Sequence, residues 1–224
     1  MKLVLQKFAK KYFPSAYNKL RQVRYEKKVL PPHFLKHVNR LPKGTLVLDI
    51  GANVGLVTEV LARRGLRVIS FEPNFSAFEK LKDIASKYRN IEIRNQAAGL
   101  KNSKIKLFLH KDSVNTINDL SQASSLLENK PNVSRDNYEI VEEIDFAVFL
   151  KSLNEPVELI KMDIEGYEIQ LINHLLDQDA VRNVCFFYVE THERKFMDLV
   201  GPTNELKERI KAEGYEKNFF FDWH

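Results

Sequence analysis

The twenty residues 46–65, LVLDIGANVGLVTEVLARRG, restrict the fold more than any other stretch of this chain. An apolar run with β-branched residues leads into a glycine-bearing turn. The turn leads into apolar residues at helical spacing, and Gly65 stops them. A strand buried on both faces, followed at once by a helix, is the opening unit of a parallel α/β sheet. The pattern repeats downstream. Strands are predicted over 45–50, 67–72, 91–96, 105–110, 157–163 and 184–190, and helices over 56–64, 75–87, 146–153, 169–176 and 205–213. Their alternation predicts a doubly wound, mostly parallel sheet. The aromatic end GYEKNFFFDWH is expected to add antiparallel strands at one edge. The polar stretch between His110 and Tyr138 reads as a long lid or binding loop.

A chain of 224 residues, 44% hydrophobic and 29% charged, suits one domain with a sizeable core. The predicted organisation is a helical basic arm over residues 1–44 and one domain over 45–224. Twelve Lys or Arg against one acid, Glu26, give the arm +11, which leaves −6 for the rest of a chain whose net charge is +5. Leu5, Phe8, Tyr12 and Phe13 recur at helical spacing among the arm's lysines. Three readings of the arm compete: an amphipathic contact with an anionic membrane, a contact with nucleic-acid phosphates, or packing over the domain with its lysines in water. The single cysteine, Cys185, lies in an apolar run and reads as a small buried hydrophobe in a reducing compartment. No apolar run is long enough to span a membrane, and lysines interrupt the N-terminus too early for a secretory signal. The expected location is therefore the cytoplasm, with the inner membrane face added if the arm meets lipid.

Ligands of open α/β sheets sit beyond the carboxyl ends of the strands. The predicted ends place Asp49, Glu72, Asp163 and Glu190 there, which describes a crevice lined with carboxylates. The turn itself, Gly51-Ala52-Asn53-Val54-Gly55, departs from the dinucleotide fingerprint. Asn53 replaces the glycine that lets backbone approach a pyrophosphate, and the last glycine comes one residue early. An acid just before the turn also disfavours phosphate. The pattern suits S-adenosylmethionine, which carries an ammonium group and no phosphate. Glu72, seventeen residues after Gly55, is placed to accept from the two ribose hydroxyls. Gln96, at a predicted strand end, is a candidate partner for adenine or an ordinary loop-edge residue. A degenerate NAD turn and a domain without cofactor are the competing readings.

The runs LDIGANVG, FEPN, IKMDIEGYE and YVETH, in that order, resemble the FkbM-type methyltransferases. The resemblance covers roughly residues 46–192. It implies a class I methyltransferase (Rossmann-like) fold, S-adenosylmethionine as methyl donor and a hydroxyl acceptor, such as a sugar of a surface glycan or a natural product. Asp49, Gly51, Asn53 and Gly55 fall on its cofactor turn and Glu72 on its ribose acid. Asp163, Glu165 and Gly166 fall on its DIEG motif, and Glu190 and His192 on its E-x-H motif.

Methyl transfer to a hydroxyl is helped by a base, and His192, Asp163 and Glu190 are the candidates for catalysis. Asp163, Glu165, Glu190 and His192 also suit a divalent metal; the plainer reading places Glu165 and Glu168 at a helix N-terminus, favoured by its dipole. His33 and His37, spaced i, i+4, are expected on a solvated helix face. Ser124 and Ser125 are weaker candidates for touching a ligand. DIEG stands where base-modifying enzymes carry a DPPY-like motif, which makes nucleic acid an unlikely acceptor. A natural-product or nucleic-acid methyltransferase, and a cofactor-binding module without catalysis, are the alternatives to an O-methyltransferase.

Overall fold

The computed structural model describes residues 26, 28–110, 125–126 and 133–223. Most of the basic arm, including its apolar residues Leu5 to Phe13, and Ser124 lie outside the described residues. The described elements are helix α1 (Pro32–Val38), β1 (Leu46–Ile50), α2 (Leu56–Arg63), β2 (Arg67–Phe71), α3 (Phe75–Ala85), β3 (Ile91–Arg94), β4 (Ala97–Gly99), β5 (Ser103–His110), β6 (Val133–Asp145), α4 (Phe146–Ser152), β7 (Val157–Met162), α5 (Glu168–Asp177), β8 (Val184–Val189), α6 (Val200–Ala212) and β9 (Phe219–Phe220). Six strands form one sheet in the order β3-β2-β1-β7-β8-β9, and every pairing in it is parallel. The order reverses beside β1, so the doubly wound, Rossmann-like sheet has its switch point between β1 and β7.

Strand β1 shows why the opening stretch is so informative. Leu46, Leu48 and Ile50 pack into one core with Phe146, Phe149 and Leu171 of α4 and α5. Val47 packs into a second core on the opposite face, with Val57, Val60 and Leu61 of α2 and Phe34 of α1. Alternate residues thus serve two hydrophobic layers, which requires an unbroken apolar run. Asp49 shares the parity of Val47 and points toward α2.

Several expectations are corrected. The aromatic end is parallel to β8, not antiparallel: Phe187 pairs with Phe219 and stacks on it at 4.3 Å between ring centroids. The strand predicted over 105–110 does not join the main sheet. It pairs antiparallel with β6, a strand of thirteen residues that starts inside the polar stretch, and β4 completes this second sheet in the order β4-β6-β5. Exposure alternates from Asp136 to Glu143, but charged residues stand on both faces, so the polar composition hid the strand. Buried Glu143 anchors this small sheet, accepting from Leu100 N at 2.9 Å and Ser103 Oγ at 2.6 Å. His33 and His37 do not lie on a solvated face. His33 stacks on Tyr188, and His37 Nδ1 shares a hydrogen bond of 2.8 Å with the Tyr188 hydroxyl. Cys185 is half-buried, and burial together with Glu158 beside it pushes its thiol up, away from nucleophilic use. Among the described residues, no helix is long and apolar enough to cross a membrane.

Candidate active site

The turn after β1 is built from alternating left-handed residues. Gly51, Asn53 and Gly55 have φ of 75°, 51° and 81°. At Gly51 only hydrogen fits, because a Cβ would stand 1.9 Å from the Asp163 carbonyl oxygen. The N–H groups of this turn are used inside the protein. Gly51 and Ala52 donate to Phe71 O, Gly55 donates to Ala52 O, and Asn53 donates to Glu72 Oε2 at 2.7 Å. A pyrophosphate cradle needs those donors free. The substitution of Asn53 for glycine therefore goes with a turn closed by a carboxylate, not by a phosphate.

Glu72 stands one residue past β2. Its second oxygen accepts from Asn74 N at 2.8 Å, and the Asn74 side chain caps α3 by accepting from Ala77 N at 2.9 Å. Burial pushes the Glu72 carboxyl up to about 7, against the pull of these two N–H donors. Glu72, Pro73, Gln96, Ala97 and Leu126 line a cleft of about 560 Å3, which also takes in Gly51, Asn53, Asp163 and Glu165. Gln96 lies between β3 and β4, two residues past the strand it was expected to end, yet it reaches this cleft. A wider cleft of about 800 Å3 continues on the other side of the turn, lined by Val57, Lys161, Asp163, Glu190, Lys195 and Trp223 among others. Gly51, Asn53, Asp163 and Glu165 belong to both. The Asn53 Oδ1 atom is buried without a hydrogen-bond partner at this junction. A spare acceptor between two clefts, with a ribose-type acid on one side and carboxylates on the other, fits S-adenosylmethionine: nucleoside, cationic sulfur and ammonium.

Asp49 does not line either cleft. It is fully buried beneath the turn, where Thr58 Oγ1 donates to it at 2.6 Å and Lys161 Nζ stands 3.6 Å away. Burial pushes its carboxyl up, against the attraction of Lys161. Lys161 is the neighbour of Asp49 in the β1–β7 register, donates to Gly51 O at 3.1 Å and lies 3.5 Å from Asp163 Oδ2. Sequence reasoning passed over this lysine, although a lone amine in the run VELIKMD is a signal that it needs a buried partner.

Asp163 and Glu190 stand directly after β7 and β8, as expected, and His192 comes two residues later. The structure brings these three together with Glu165. His192 is 2% exposed and lines neither cleft. Its Nε2 lies 3.4 Å from Glu165 Oε2, 3.7 Å from Asp163 Oδ1 and 3.9 Å from Glu190 Oε1, and its Nδ1 lies 3.4 Å from Glu168 Oε1. None of these meets hydrogen-bond geometry. Burial favours the neutral ring, but Glu168, Glu165 and Asp163 outweigh it and hold the ring above its ordinary value. Burial and Asp163 push Glu190 up, against His192 and Lys195. Glu168 opens α5 as the dipole argument expects, and it also accepts from Ile164 N and Gly166 N at 2.7 Å each. The DIEG backbone is bent to allow this, with φ of 57° at Glu165 and 101° at Gly166. Ser125 is buried against the same turn, donating to Glu165 O at 2.9 Å.

Comparison with known proteins adds a family. The model described as the methyltransferase FkbM domain matches residues 49–217, starting at the buried acid of β1. Ribosomal RNA small subunit methyltransferase A of Thermotoga petrophila is 36% identical over 87 residues, covering 39% of this chain and 33% of that protein. The enzyme of the same name from Thermotoga maritima is 45% identical over 49 residues, covering 22% and 18%. The chain thus spans a third or less of these curated relatives. A solved candidate O-methyltransferase of Klebsiella pneumoniae is 15% identical with a TM-score of 0.48, covering 95% of this chain and 86% of its own. With three-quarters of its length matched by one family model, the chain belongs to the FkbM methyltransferase family.

Proposed function

We propose that this enzyme transfers the methyl group to a hydroxyl oxygen, and that the hydroxyl belongs to a sugar of a glycan. The observation that carries the reading is the acidic wall of the wider cleft, where Asp163, Glu165 and Glu190 stand together. Carboxylates accept hydrogen bonds from neighbouring hydroxyls of a polyol, and they repel the phosphates of a nucleic-acid strand. S-adenosylmethionine supplies a methyl group on a positively charged sulfur.

The protein's own residues do the rest. Glu72 holds the ribose, the closed turn fixes the position of the donor, and Gln96 meets the base. The acceptor oxygen must be held ~3–3.5 Å from the methyl carbon, in line with the sulfur. As the new C–O bond forms, the C–S bond breaks and its electron pair stays on sulfur. The hydroxyl proton passes to a carboxylate oxygen at the cleft surface, for which Glu190 is the best placed because it reaches the cleft and His192 does not. In this reading His192 is a positioning residue behind Asp163, Glu165 and Glu190.

A second acceptor class has one observation in its favour: the local similarity to ribosomal RNA methyltransferases. Incubation with labelled S-adenosylmethionine and two acceptor pools, purified surface glycans and ribosomal RNA, separates the two. Label in an alkali-stable methyl ether of a sugar supports the proposal. Label in N-methyladenine, with none in the glycan pool, overturns it.

A further inference from the structure

The His192 cluster gathers negative charge around one buried ring. Four carboxylates, Asp163, Glu165, Glu168 and Glu190, lie within 4 Å of its ring nitrogens. Two ammonium groups answer them: Lys161 beside Asp163 and Lys195 at 3.3 Å from Glu190. The geometry is also specific. One donor atom each from Asp163, Glu165 and His192 lies within 4.8 Å of the others. Ligand atoms held ~2.1 Å from one ion lie ~3.0–3.4 Å apart at octahedral or tetrahedral angles and ~4.2 Å apart across an octahedron. The Nε2 distances of 3.4, 3.7 and 3.9 Å fall in that span and are too long for direct hydrogen bonds.

We infer that Asp163, Glu165 and His192 Nε2 bind a divalent cation, with Glu190 as a fourth ligand or as the acceptor of a proton beside it. The independent observation is His192 itself, 2% exposed, with both ring nitrogens unbonded and Nε2 aimed into the carboxylates. Glu168 completes the arrangement. It stands 3.4 Å from Nδ1 and is fixed by two backbone N–H groups, so its charge backs the ring on the side away from Nε2. One imidazole among carboxylates favours Mn2+ over Ca2+, and Mg2+ or Zn2+ as competitors. Asp163, Glu165 and Glu190 line the wider cleft, so the remaining coordination positions face the acceptor. The role of the ion rests on the proposed hydroxyl acceptor: a hydroxyl bound to it is a stronger acid and gives its proton to Glu190 more readily. The binding itself does not rest on that reading.

The test is titration of the full chain with MnCl2, following the free-ion signal by electron paramagnetic resonance, with S-adenosylmethionine binding measured in parallel by calorimetry. One Mn2+ per chain is expected, displaced by Mg2+ or Zn2+. His192→Gln and Asp163→Asn should each weaken it more than tenfold, and Glu168→Gln ~10-fold through loss of ring orientation. Glu165→Gln, at a half-buried position, tests the same ligand set if His192→Gln does not fold. Absence of saturable binding of all three ions to the unmodified chain overturns the inference, as does Mn2+ affinity unchanged in every variant. If S-adenosylmethionine binds and no ion does, the metal site falls and the methyltransferase reading stands. If an ion binds as predicted without S-adenosylmethionine, the site stands and the functional reading falls.

Discussion

The two sides of the turn after β1 are built on opposite plans. On the ribose side, Glu72 accepts two backbone N–H groups at 2.7 and 2.8 Å, and the N–H groups of Gly51, Ala52 and Gly55 are bonded inside the turn. On the acidic side, His192 and its carboxylates keep distances of 3.4–3.9 Å, and both ring nitrogens are unbonded. The first arrangement is tied together by the protein's own backbone hydrogen bonds, so it stabilises the fold and holds its shape before any ligand arrives. The second is completed by what it binds. Substitutions on the first side and in the buried polar layer beneath it should therefore cost stability, and substitutions on the second should cost activity.

The largest effect is expected beneath the turn. Lys161→Met leaves Asp49 buried without its countercharge, which costs about 3–5 kcal/mol and lowers Tm by roughly 10 °C. The double variant Asp49→Asn/Lys161→Met should recover at least half of that in thermal melts. A double variant no more stable than Lys161→Met would mean that the lysine acts through other contacts. Gly51→Ala comes next, at ~2–4 kcal/mol, since its methyl meets the Asp163 carbonyl in a left-handed backbone. Urea unfolding reads this directly, and a neutral result would show that the turn can shift.

Glu72→Gln is expected to weaken S-adenosylmethionine binding ~10–100-fold, because an ionised acid that accepts from two hydroxyls is lost. The pH dependence carries its own sign. The folded carboxyl, near 7, lies above its ordinary 4.5. Its stabilising contribution to the cofactor-free protein is complete below about 4.5 and is lost as pH rises through 7. Cofactor affinity runs the other way, weakening ~10-fold per pH unit below 7 as the acid takes up its proton. Glu72→Gln should flatten both curves, measured by melting and by calorimetry from pH 5 to 8. The smallest change in stability is expected on the acidic side. Glu190→Gln relieves like-charge repulsion from Asp163, so stability should stay within ~0.5 kcal/mol of the parent or rise, while turnover falls at least ~100-fold. A large loss of stability there would remove the contrast.

How far the sequence carried varies from residue to residue. Glu72, Asp163 and Glu190 were legible because an acid that ends an apolar strand has no place in a core and must face a ligand or a partner. Asp49 was legible as an exception but not as a location, since periodicity gives its side of the sheet and not the depth at which Thr58 and Lys161 meet it. Lys161 became informative only when the β1–β7 register placed it beside Asp49. The start of β6 reads as loop because the strand carries charge on both faces, and buried Glu143 finds its donors, Leu100 N and Ser103 Oγ, only once the second sheet exists.

What the sequence determined by itself is local: a strand buried on both faces, a turn that cannot cradle phosphate, helices at their periodic spacings and a family through four short motifs. Those follow from side-chain period and backbone freedom, which act within a few residues. Only the tertiary structure decided that Asp163, Glu165 and Glu190 meet at His192 Nε2 with Glu168 at Nδ1, that Lys161 lies under the turn, and that the aromatic end runs parallel to β8. Each of those is a meeting of residues far apart in the chain, and it is set by the order of strands and by the depth of burial.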